Sequence, residues 1–327
     1  MACMCGQDYL CAITDALLAE AGGVSLDALH WDVDAICRCY GAVVPLADRL
    51  GIDVPRPGLA GFSYAHVSTL GAEVVFAPGS EPAVRPIIRS PSDIDHLREP
   101  RDYVASGIVP RRLRVLDELI DREPNARRSI GHLYEGPVTT ATLLMGPEFF
   151  LLPHLDPKRG HRLLSFCVTS AVNYATAIRE RLGIPLHNGP VSLPDDFGGI
   201  FAPDVFREFT AAYWDEMYRK LDATERRLHS ELLRPEHLPV LAELGIAEFD
   251  PSADQYVTPE LLRERCPVPF TGRIQTWTIR DNPPEQLQEL YRQIADCSPT
   301  RISFYMTALE EEEKIRALLD VARDLAR

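Results

Sequence analysis

The sequence lacks any apolar run long enough to cross a membrane as a helix. None of its hydrophobic stretches reaches the roughly 18 residues that a transmembrane helix requires. The N-terminus also lacks the basic stretch followed by an apolar block that is typical of a secretion signal. We therefore expect a cytoplasmic protein that does not act at a membrane.

Positive charge is scarce as well. The 34 Lys and Arg residues are outnumbered by 48 Asp and Glu residues, which gives a net charge of −14 and a sequence pI near 5.1. Because nucleic acids attract basic surfaces, we do not expect nucleic acid as a partner. The sequence also has no phosphate-binding loop, no dinucleotide-binding glycine fingerprint and no G-x-S-x-G nucleophile turn. An acidic enzyme that acts on a small molecule is the expectation that remains.

The spacing that most zinc ribbons use, C-x2-C, is missing among the eight cysteines. The early cysteines form two C-x-C pairs instead, Cys3 with Cys5 and Cys37 with Cys39. Such pairs could together hold a metal ion, or they could be reduced thiols, as is usual in a cytoplasmic protein. The spacing alone leaves both interpretations open.

The apolar pattern predicts an α/β protein. From about residue 128 onward, short apolar strands alternate with helical segments, and such alternation is typical of parallel βα units. Enough units are present to close a (β/α)8 TIM barrel. Residues 7–20 show helical periodicity and end at a pair of glycines, so we expect an N-terminal helical extension over residues 1–30 and a barrel over residues 31–327.

A histidine and a glutamate follow one predicted strand. His229 and Glu231 are two residues apart, so on a continuing strand they would face the same side and could hold a divalent cation such as zinc. A third ligand would have to come from elsewhere, with Asp250, Asp254 and Cys297 as candidates by position. The alternative is a hydrogen-bonded histidine followed by a glutamate that caps the next helix.

Acidic residues at two other predicted strand ends suggest catalysis. Asp195 and Asp196 precede a Phe-Gly-Gly turn, and Glu135 precedes Gly136. Active sites of (β/α)8 barrels are built at the C-terminal ends of the strands, so these carboxylates are predicted to orient or deprotonate a substrate. Adjacent aspartates are equally common as caps at the N-terminus of a helix.

Several further polar residues are predicted to contact substrate because they lie near strand ends. These residues are His132, Tyr134, His187, Asn188, Tyr256 and Arg273. His132 and Tyr134 could instead share a buried hydrogen bond, and His187 and Asn188 could simply form a chain turn. Arg273 could clamp a substrate carboxylate, or it could form a salt bridge with an acidic residue of the protein.

A series of short motifs resembles the uroporphyrinogen decarboxylase superfamily from about residue 28 to the C-terminus. The motifs, in chain order, are Ser90–Leu97 (S-P-S-D-I-D-H-L), Gly136–Thr139 (G-P-V-T), Asp156–Lys158, Asp195–Gly198 (D-D-F-G), Ala202–Phe209 (A-P-D-V-F-R-E-F), His229–Glu231 and Leu241–Ile246 (L-A-E-L-G-I). The resemblance implies a (β/α)8 barrel.

The resemblance implies one of two activities, which the sequence separates in part. Decarboxylases of the superfamily carry R-Q-A-G-R-Y near the N-terminus to clamp substrate carboxylates, where this chain has C-M-C-G-Q-D-Y at residues 3–9. Thiol-activating methyltransferases carry H-x-C-G and a late cysteine as zinc ligands. Here His229 matches, Glu231 replaces the first cysteine, and Phe304–Met306 occupies the late-cysteine region.

We therefore expect a methyltransferase that exchanges a methyl group between a small molecule, thiol or folate and the corrinoid of a partner protein, with zinc as a possible aid. A decarboxylase with Arg273 as its carboxylate anchor is the second expectation. A non-catalytic barrel that binds a corrinoid or tetrapyrrole is the third. A homodimer is compatible with each.

Overall fold

The computed structural model describes residues 8–185, 189–252 and 254–326. The predicted substrate-binding residues His187 and Asn188 lie outside the described residues, as do Cys3 and Cys5. None of the helices in these ranges is both long enough and apolar enough to span a membrane.

Strands and helices alternate along most of the described chain. The strands are β1 (Asp8–Ile13), β2 (Glu73–Val75), β3 (Ala83–Arg85), β4 (Pro190–Pro194), β5 (Glu225–His229), β6 (Ile246–Asp250), β7 (Gly272–Ile274) and β8 (Arg301–Met306). The helices are α1 (Asp15–Gly22), α2 (Val33–Ala42), α3 (Val44–Leu50), α4 (Ala65–Thr69), α5 (Val109–Arg122), α6 (Pro137–Met145), α7 (Leu152–Leu155), α8 (Pro157–Leu182), α9 (Pro203–Phe206), α10 (Ala212–Lys220), α11 (Pro239–Glu243), α12 (Pro259–Arg265), α13 (Thr276–Asp281), α14 (Pro284–Ala295) and α15 (Glu312–Leu325).

The longest helix, α8, has clear signals at both ends. The Asp156 side chain accepts a hydrogen bond from the Arg159 amide, and Pro157 occupies the first turn, where its missing N–H costs nothing. Gly183 ends the helix with φ at 67°, a left-handed conformation that glycine adopts without strain. These signals explain why the predicted helix over residues 157–181 agrees with the observed one.

Two parallel sheets carry the strand ends that form the site. One sheet has the order β1-β8-β7 and the other has the order β4-β5-β6, and a parallel bridge between Phe249 and Phe270 links them. Strands β2 and β3 form a separate antiparallel hairpin. The predicted parallel βα units are confirmed, whereas closure into a complete (β/α)8 barrel is not shown and stays a prediction.

Two segments between β1 and β4, residues 57–61 and 127–136, form no regular strand. Single backbone hydrogen bonds connect them: the Arg127 amide donates to the Pro57 carbonyl over 2.7 Å, and the His132 amide donates to the Gly61 carbonyl over 2.9 Å. The strand predicted over residues 128–134 is therefore wrong. Gly131, with φ at 101°, falls inside the predicted strand, and its conformation is incompatible with a regular ladder.

A buried arginine ties these irregular segments together. The Arg112 side chain on α5 is fully buried and donates to the carbonyls of Ile130 and Ala60, each over 2.8 Å, and contacts His30 Nδ1 at 3.0 Å. Burial lowers the pKa of Arg112 to about 10 and that of His30 to about 4, so the guanidinium stays charged and the imidazole stays neutral at pH 7. The arginine thus supplies the hydrogen bonds that a sheet ladder would otherwise provide.

The helix predicted over residues 7–20 is wrong in its first half. Residues 8–13 form β1, which pairs in parallel with β8 along its whole length, and the helix begins only after Thr14, whose side chain accepts from the Leu17 amide. The short apolar run is compatible with either a strand or a buried helix, and pairing with β8 decides between them. The first 30 residues therefore contribute a sheet strand. A domain boundary near residue 30 stays a prediction.

Candidate active site

Polar side chains from four neighbouring strands meet at one edge of the sheets. Asp196 follows β4, His229 ends β5, Asp250 ends β6 and Arg273 lies in β7. The strands are parallel and in register, with Pro194 opposite His229 and His229 opposite Asp250, so their C-terminal ends lie together. The position is the one expected for an active site in an α/β protein.

His229 is held between two carboxylates. Its Nδ1 lies 2.9 Å from Asp250 Oδ2, and its Nε2 lies 3.3 Å from Asp196 Oδ1. Burial alone would lower the pKa of His229, but the two carboxylates outweigh burial and raise it to about 9. At neutral pH the ring is therefore an imidazolium, which donates from Nδ1 to Asp250 and lies within ion-pair distance of Asp196 at Nε2.

Asp250 connects the histidine to an arginine. Its Oδ2 also accepts from Arg273 Nη2 over 2.9 Å, and its Oδ1 accepts from the Ser252 amide over 2.9 Å. Burial raises the pKa of Asp250, yet the hydrogen bond from His229 and the charge of Arg273 lower it well below its usual range. Arg273 further donates to Ser252 Oγ over 3.0 Å and lies 5.1 Å from the ring centre of Tyr305. The predicted carboxylate anchor is thus engaged by the protein's own Asp250.

Asp195 is an internal anchor. It is fully buried and accepts hydrogen bonds from the amides of Val138 and Thr139, at 3.2 and 2.7 Å, and from Trp214 Nε1 at 2.6 Å. Burial raises its pKa to about 6, although these three donors lower it. The carboxylate lies at the N-terminus of α6, where the helix dipole favours negative charge. This is the capping alternative considered from the sequence, and it keeps Asp195 out of the open site.

Glu135 is the proton-holding carboxyl of the cluster. Burial, followed by the charges of Asp196 and Asp195, raises its pKa to about 8, and the charge of His229 opposes this only in part. The side chain lines a small pocket together with Tyr64, whose pKa rises to about 12 through burial and the charges of Glu135 and Asp196. At pH 7 Glu135 is therefore mainly neutral while the neighbouring His229 is an imidazolium.

Tyr64 is a functional candidate that sequence reasoning missed. Its φ of 47° is left-handed, an uncommon conformation for a large residue and one that often marks a functional site. The sequence gives no signal of this, because Tyr64 simply precedes the short helix α4.

A cavity of about 650 Å³ opens beside the cluster. That volume suits a small-molecule ligand. Its wall is mixed: apolar side chains alternate with acidic and basic ones. The residues that line it include Asp15, Arg56, Phe62, Glu81, Arg127, His132 and Tyr305.

His132 joins the cavity to the histidine cluster, which consists of Asp196, His229, Asp250 and Arg273. It lines the cavity, stacks on Phe62 with ring centres 4.8 Å apart, and has its pKa lowered by burial and by the charge of His229. Asp196 acts on it in the opposite direction. A ligand that fills the cavity would therefore contact His132 on the side that leads to His229.

Zinc does not fit the site as it is arranged. Both ring nitrogens of His229 face carboxylates, and Glu231 follows the end of β5, just before Leu232, whose φ is 64°. The prediction that His229 and Glu231 project together from one strand thus loses its geometric basis. Among residues 8–185, 189–252 and 254–326, no group of three or more His, Cys, Asp or Glu side chains has the geometry of a metal site. Zinc binding stays a prediction, and no chemical step below depends on it.

The other predicted residues make no hydrogen bond to His229 within the described part of the chain, although Tyr134 lines the same small pocket as Glu135. Tyr134 packs against the main hydrophobic core, and Tyr256 is 44 % exposed with the Arg234 guanidinium 5.6 Å from its ring centre. Asp254 accepts from the amides of Tyr256 and Val257 and so shapes its own loop, and Cys297 is buried. Of the early cysteines, Cys37 and Cys39 are free thiols. Neither Asp254 nor Cys297 is a partner of His229.

The model of the uroporphyrinogen decarboxylase (URO-D) family matches residues 62–323. The match covers most of the chain, including every residue of the histidine cluster. The chain belongs to the uroporphyrinogen decarboxylase family. The resemblance found in the sequence motifs is thereby confirmed.

A solved structure shares the fold of the chain. This structure, a methyltransferase from Methanosarcina mazei, superposes with a TM-score of 0.72 and covers 97 % of this chain and 94 % of its own. Sequence identity is 16 %, so the match establishes the shared fold and not the reaction. No curated protein matches the chain at a significant level. Together these findings support an enzyme of the URO-D superfamily.

Proposed function

We propose that this protein is a methyltransferase of the URO-D superfamily that moves a methyl group between a small substrate and the corrinoid of a partner protein. The observation that carries the proposal is the cluster of Glu135 and His229, which His132 connects to a cavity of small-molecule size, since His132 lines that cavity and also the small pocket that Glu135 lines. The fold shared with a methyltransferase over nearly the whole chain agrees with it.

Methyl transfer needs such a proton donor when the methyl leaves oxygen or nitrogen. The bond from the methyl carbon to that atom breaks, a bond to the acceptor forms, and the electron pair remains on the leaving atom. Glu135 then gives its proton to that atom and becomes a carboxylate, which solvent protonates again. The corrinoid supplies the cobalt that accepts or donates the methyl group, and this chain positions the substrate and holds the proton.

The Asp196–His229–Asp250 cluster fixes the charge around that proton. The imidazolium, 3.3 Å from Asp196, stabilises negative charge on Glu135 once its proton has left, while Asp196 keeps Glu135 protonated beforehand. Arg273 is a positioning residue because it holds Asp250 and so holds the ring. We further propose that the two parallel sheets and the segments 57–61 and 127–136 close into a (β/α)8 barrel around this cluster.

Decarboxylation of a tetrapyrrole is less well supported. Arg273, its expected carboxylate anchor, already binds Asp250 and Ser252. Asp15 and Glu81 also line the cavity, and their charges would repel a substrate that carries many carboxylates. The same experiment can test this alternative.

The test uses purified full-length protein with free methylcobalamin in place of a corrinoid protein. Loss of methylcobalamin in the presence of candidate acceptors, followed by its visible spectrum and by mass spectrometry of the methylated product, supports the proposal. Formation of coproporphyrinogen from uroporphyrinogen, with no methyl transfer, would overturn it. Elemental analysis of the same preparation tests zinc separately.

Two variants and a control define the site in that assay. In the direction of this assay the acceptor loses its proton, and the carboxylate form of Glu135 takes it. Glu135→Gln keeps shape and polarity but removes the group that exchanges this proton, and His229→Gln removes the imidazolium, so both should abolish most of the rate. His154→Gln, at a helix that contributes nothing to the site, is the matched control and should retain full activity.

A further inference from the structure

The outer wall of the cavity carries two arginines that no carboxylate neutralises. Within the described ranges, neither Arg56 nor Arg127 has an Asp or Glu oxygen within 4.0 Å, although acidic residues outnumber basic ones in the chain. In a protein of net charge −14, unpaired guanidinium groups that share a cavity are candidates for ligand contacts.

Arg127 is held in place by the protein. Its Nη2 donates to Tyr40 Oη over 2.9 Å, and its amide donates to the Pro57 carbonyl over 2.7 Å. Gly58 provides the space for it, since a Cβ at that position would lie 2.5 Å from Arg127 Nε. A side chain fixed in this way loses little entropy on binding a ligand.

Two acidic residues, Asp15 and Glu81, share the cavity with the two arginines, so a carboxylate would have to lie on the arginine side of the wall. Asp15 Oδ2 accepts from the Gly61 amide over 3.0 Å, which turns it toward the backbone. Burial, followed by the charge of Asp15, raises the pKa of Glu81. The charges of Arg127 and Asp15 both reach the cavity with opposite effects, since Arg127 lowers and Asp15 raises the pKa of Tyr40 and of His132.

Much of the rest of the wall is apolar or aromatic. Phe62 is 44 % exposed and packs against the His132 ring at a tilt of 30°, and Ile13 and Leu18 lie on the same cavity surface. A ligand with an anionic end and a flat apolar body would match both parts of the wall. Its body would contact Phe62 and His132.

We propose that the cavity binds a small organic anion, an aromatic or unsaturated carboxylate, with the carboxylate on Arg127 and Arg56 and the apolar body against Phe62. This inference rests on the proposed function in one respect, because it identifies the substrate class of that enzyme. It can fail separately, since an anion site can exist whatever reaction follows.

The experiment measures binding to the full-length protein by isothermal titration calorimetry. The probes are benzoate, phenylacetate and cinnamate, each compared with its uncharged amide, and phenylphosphonate tests whether a phosphonate oxyanion serves as well. We expect at least one carboxylate to bind at least ten-fold more tightly than its amide, and this preference to weaken as salt is added. Equal binding of each carboxylate and its amide, no binding by any of them, or a preference confined to phenylphosphonate overturns the proposal.

Matched variants locate the anion. Arg127→Gln should weaken carboxylate binding by about ten-fold or more and leave amide binding unchanged, because it removes the charge alone. Arg128→Gln is the control, since Arg128 is the adjacent exposed arginine and does not line the cavity. Melting temperatures of both variants show whether they are folded. Equal losses in both variants, or no loss in Arg127→Gln, contradict the assignment.

These outcomes separate the two proposals. If carboxylates bind through Arg127 but no methyl transfer occurs with any acceptor, the anion site stands and the proposed function fails. If methyl transfer occurs only with uncharged substrates and Arg127→Gln is fully active, the proposed function stands and the anion site fails.

Discussion

Asp250→Asn tests whether a carboxylate pair makes His229 a permanent cation at neutral pH. Asp250 Oδ2 lies 2.9 Å from both His229 Nδ1 and Arg273 Nη2, so the substitution removes one partner from each. Asparagine has nearly the same shape, and the change is therefore one of charge.

The size of the effect follows from the pKa of the ring. Its rise from 6.5 to about 9 corresponds to about 3 kcal/mol in favour of the imidazolium, shared between Asp250 and Asp196. Removing the nearer carboxylate should lower the pKa of His229 by roughly 1–2 units. Arg273, only 16 % exposed, loses its counter-charge, so the free energy of unfolding should fall by roughly 3 kcal/mol.

The pH dependence of stability has a definite sign. The folded-state pKa of His229 lies above 6.5, so its stabilising contribution is complete below pH 6.5 and is lost as pH rises through about 9. In Asp250→Asn this loss should occur at lower pH. Urea unfolding measured between pH 6 and pH 10 checks the shift.

Histidine-selective NMR measures the pKa directly. The ring signals of His229, assigned by their absence in His229→Gln, are followed through a pH titration of wild type and Asp250→Asn. Glu248→Gln, on the same strand but hydrogen-bonded to Thr300, is the matched control and should leave the titration unchanged. If His229 titrates at the same pH in Asp250→Asn as in the wild type, the electrostatic account of the cluster is wrong.

Three further changes test the acid, the buried arginine and the packing. Glu135→Gln should lower the rate of methyl transfer at pH 7 by about 10²-fold or more. The folded-state pKa of Glu135 is raised from 4.5 to about 8, so the wild type should also lose stability as pH rises through that interval. Urea unfolding of the variant should show no such loss. Arg112→Met should reduce the free energy of unfolding by roughly 3–5 kcal/mol in urea, since it leaves buried acceptors without a donor; an unchanged midpoint would contradict the role assigned to it. Gly136→Ala places a Cβ 2.4 Å from the carboxyl carbon of Asp195 and should lower the melting temperature, whereas Gly189→Ala, with no atom within 4 Å, should not; equal effects would refute the packing argument.

Periodicity and helix-end signals gave most of the fold beyond residue 150. Strands β5, β6 and β8 fall where alternating apolar segments predict them, and α8 falls between its proline and its glycine. These elements are set by local residue patterns, and neighbouring contacts only reinforce them. The first strand and the irregular segments were mispredicted, because long-range pairing with β8 and the hydrogen bonds of Arg112 determine them.

The candidate site is only partly predictable from the sequence, and the functional roles of its residues stay predictions. The sequence indicates Asp196, His229 and Glu135 as residues at the ends of predicted strands. Parallel pairing does bring the ends of β4, β5 and β6 together, whereas Glu135 follows a segment that forms no strand. Asp250 was considered only as a metal ligand, yet it binds the imidazole directly. The metal pair His229–Glu231 assumed that the strand continues to residue 231, whereas β5 ends at His229.

The sequence by itself determined the family, the alternation of strands and helices, and the set of strand ends from which a site could be built, because these depend on residue order and local preference. Only the tertiary structure decided which of two adjacent aspartates is buried at a helix N-terminus and which faces the histidine. It also decided that His229 is a cation and Glu135 a neutral acid. Protonation depends on burial and on charges contributed by residues far apart in the chain, and these distances exist only once the chain has folded.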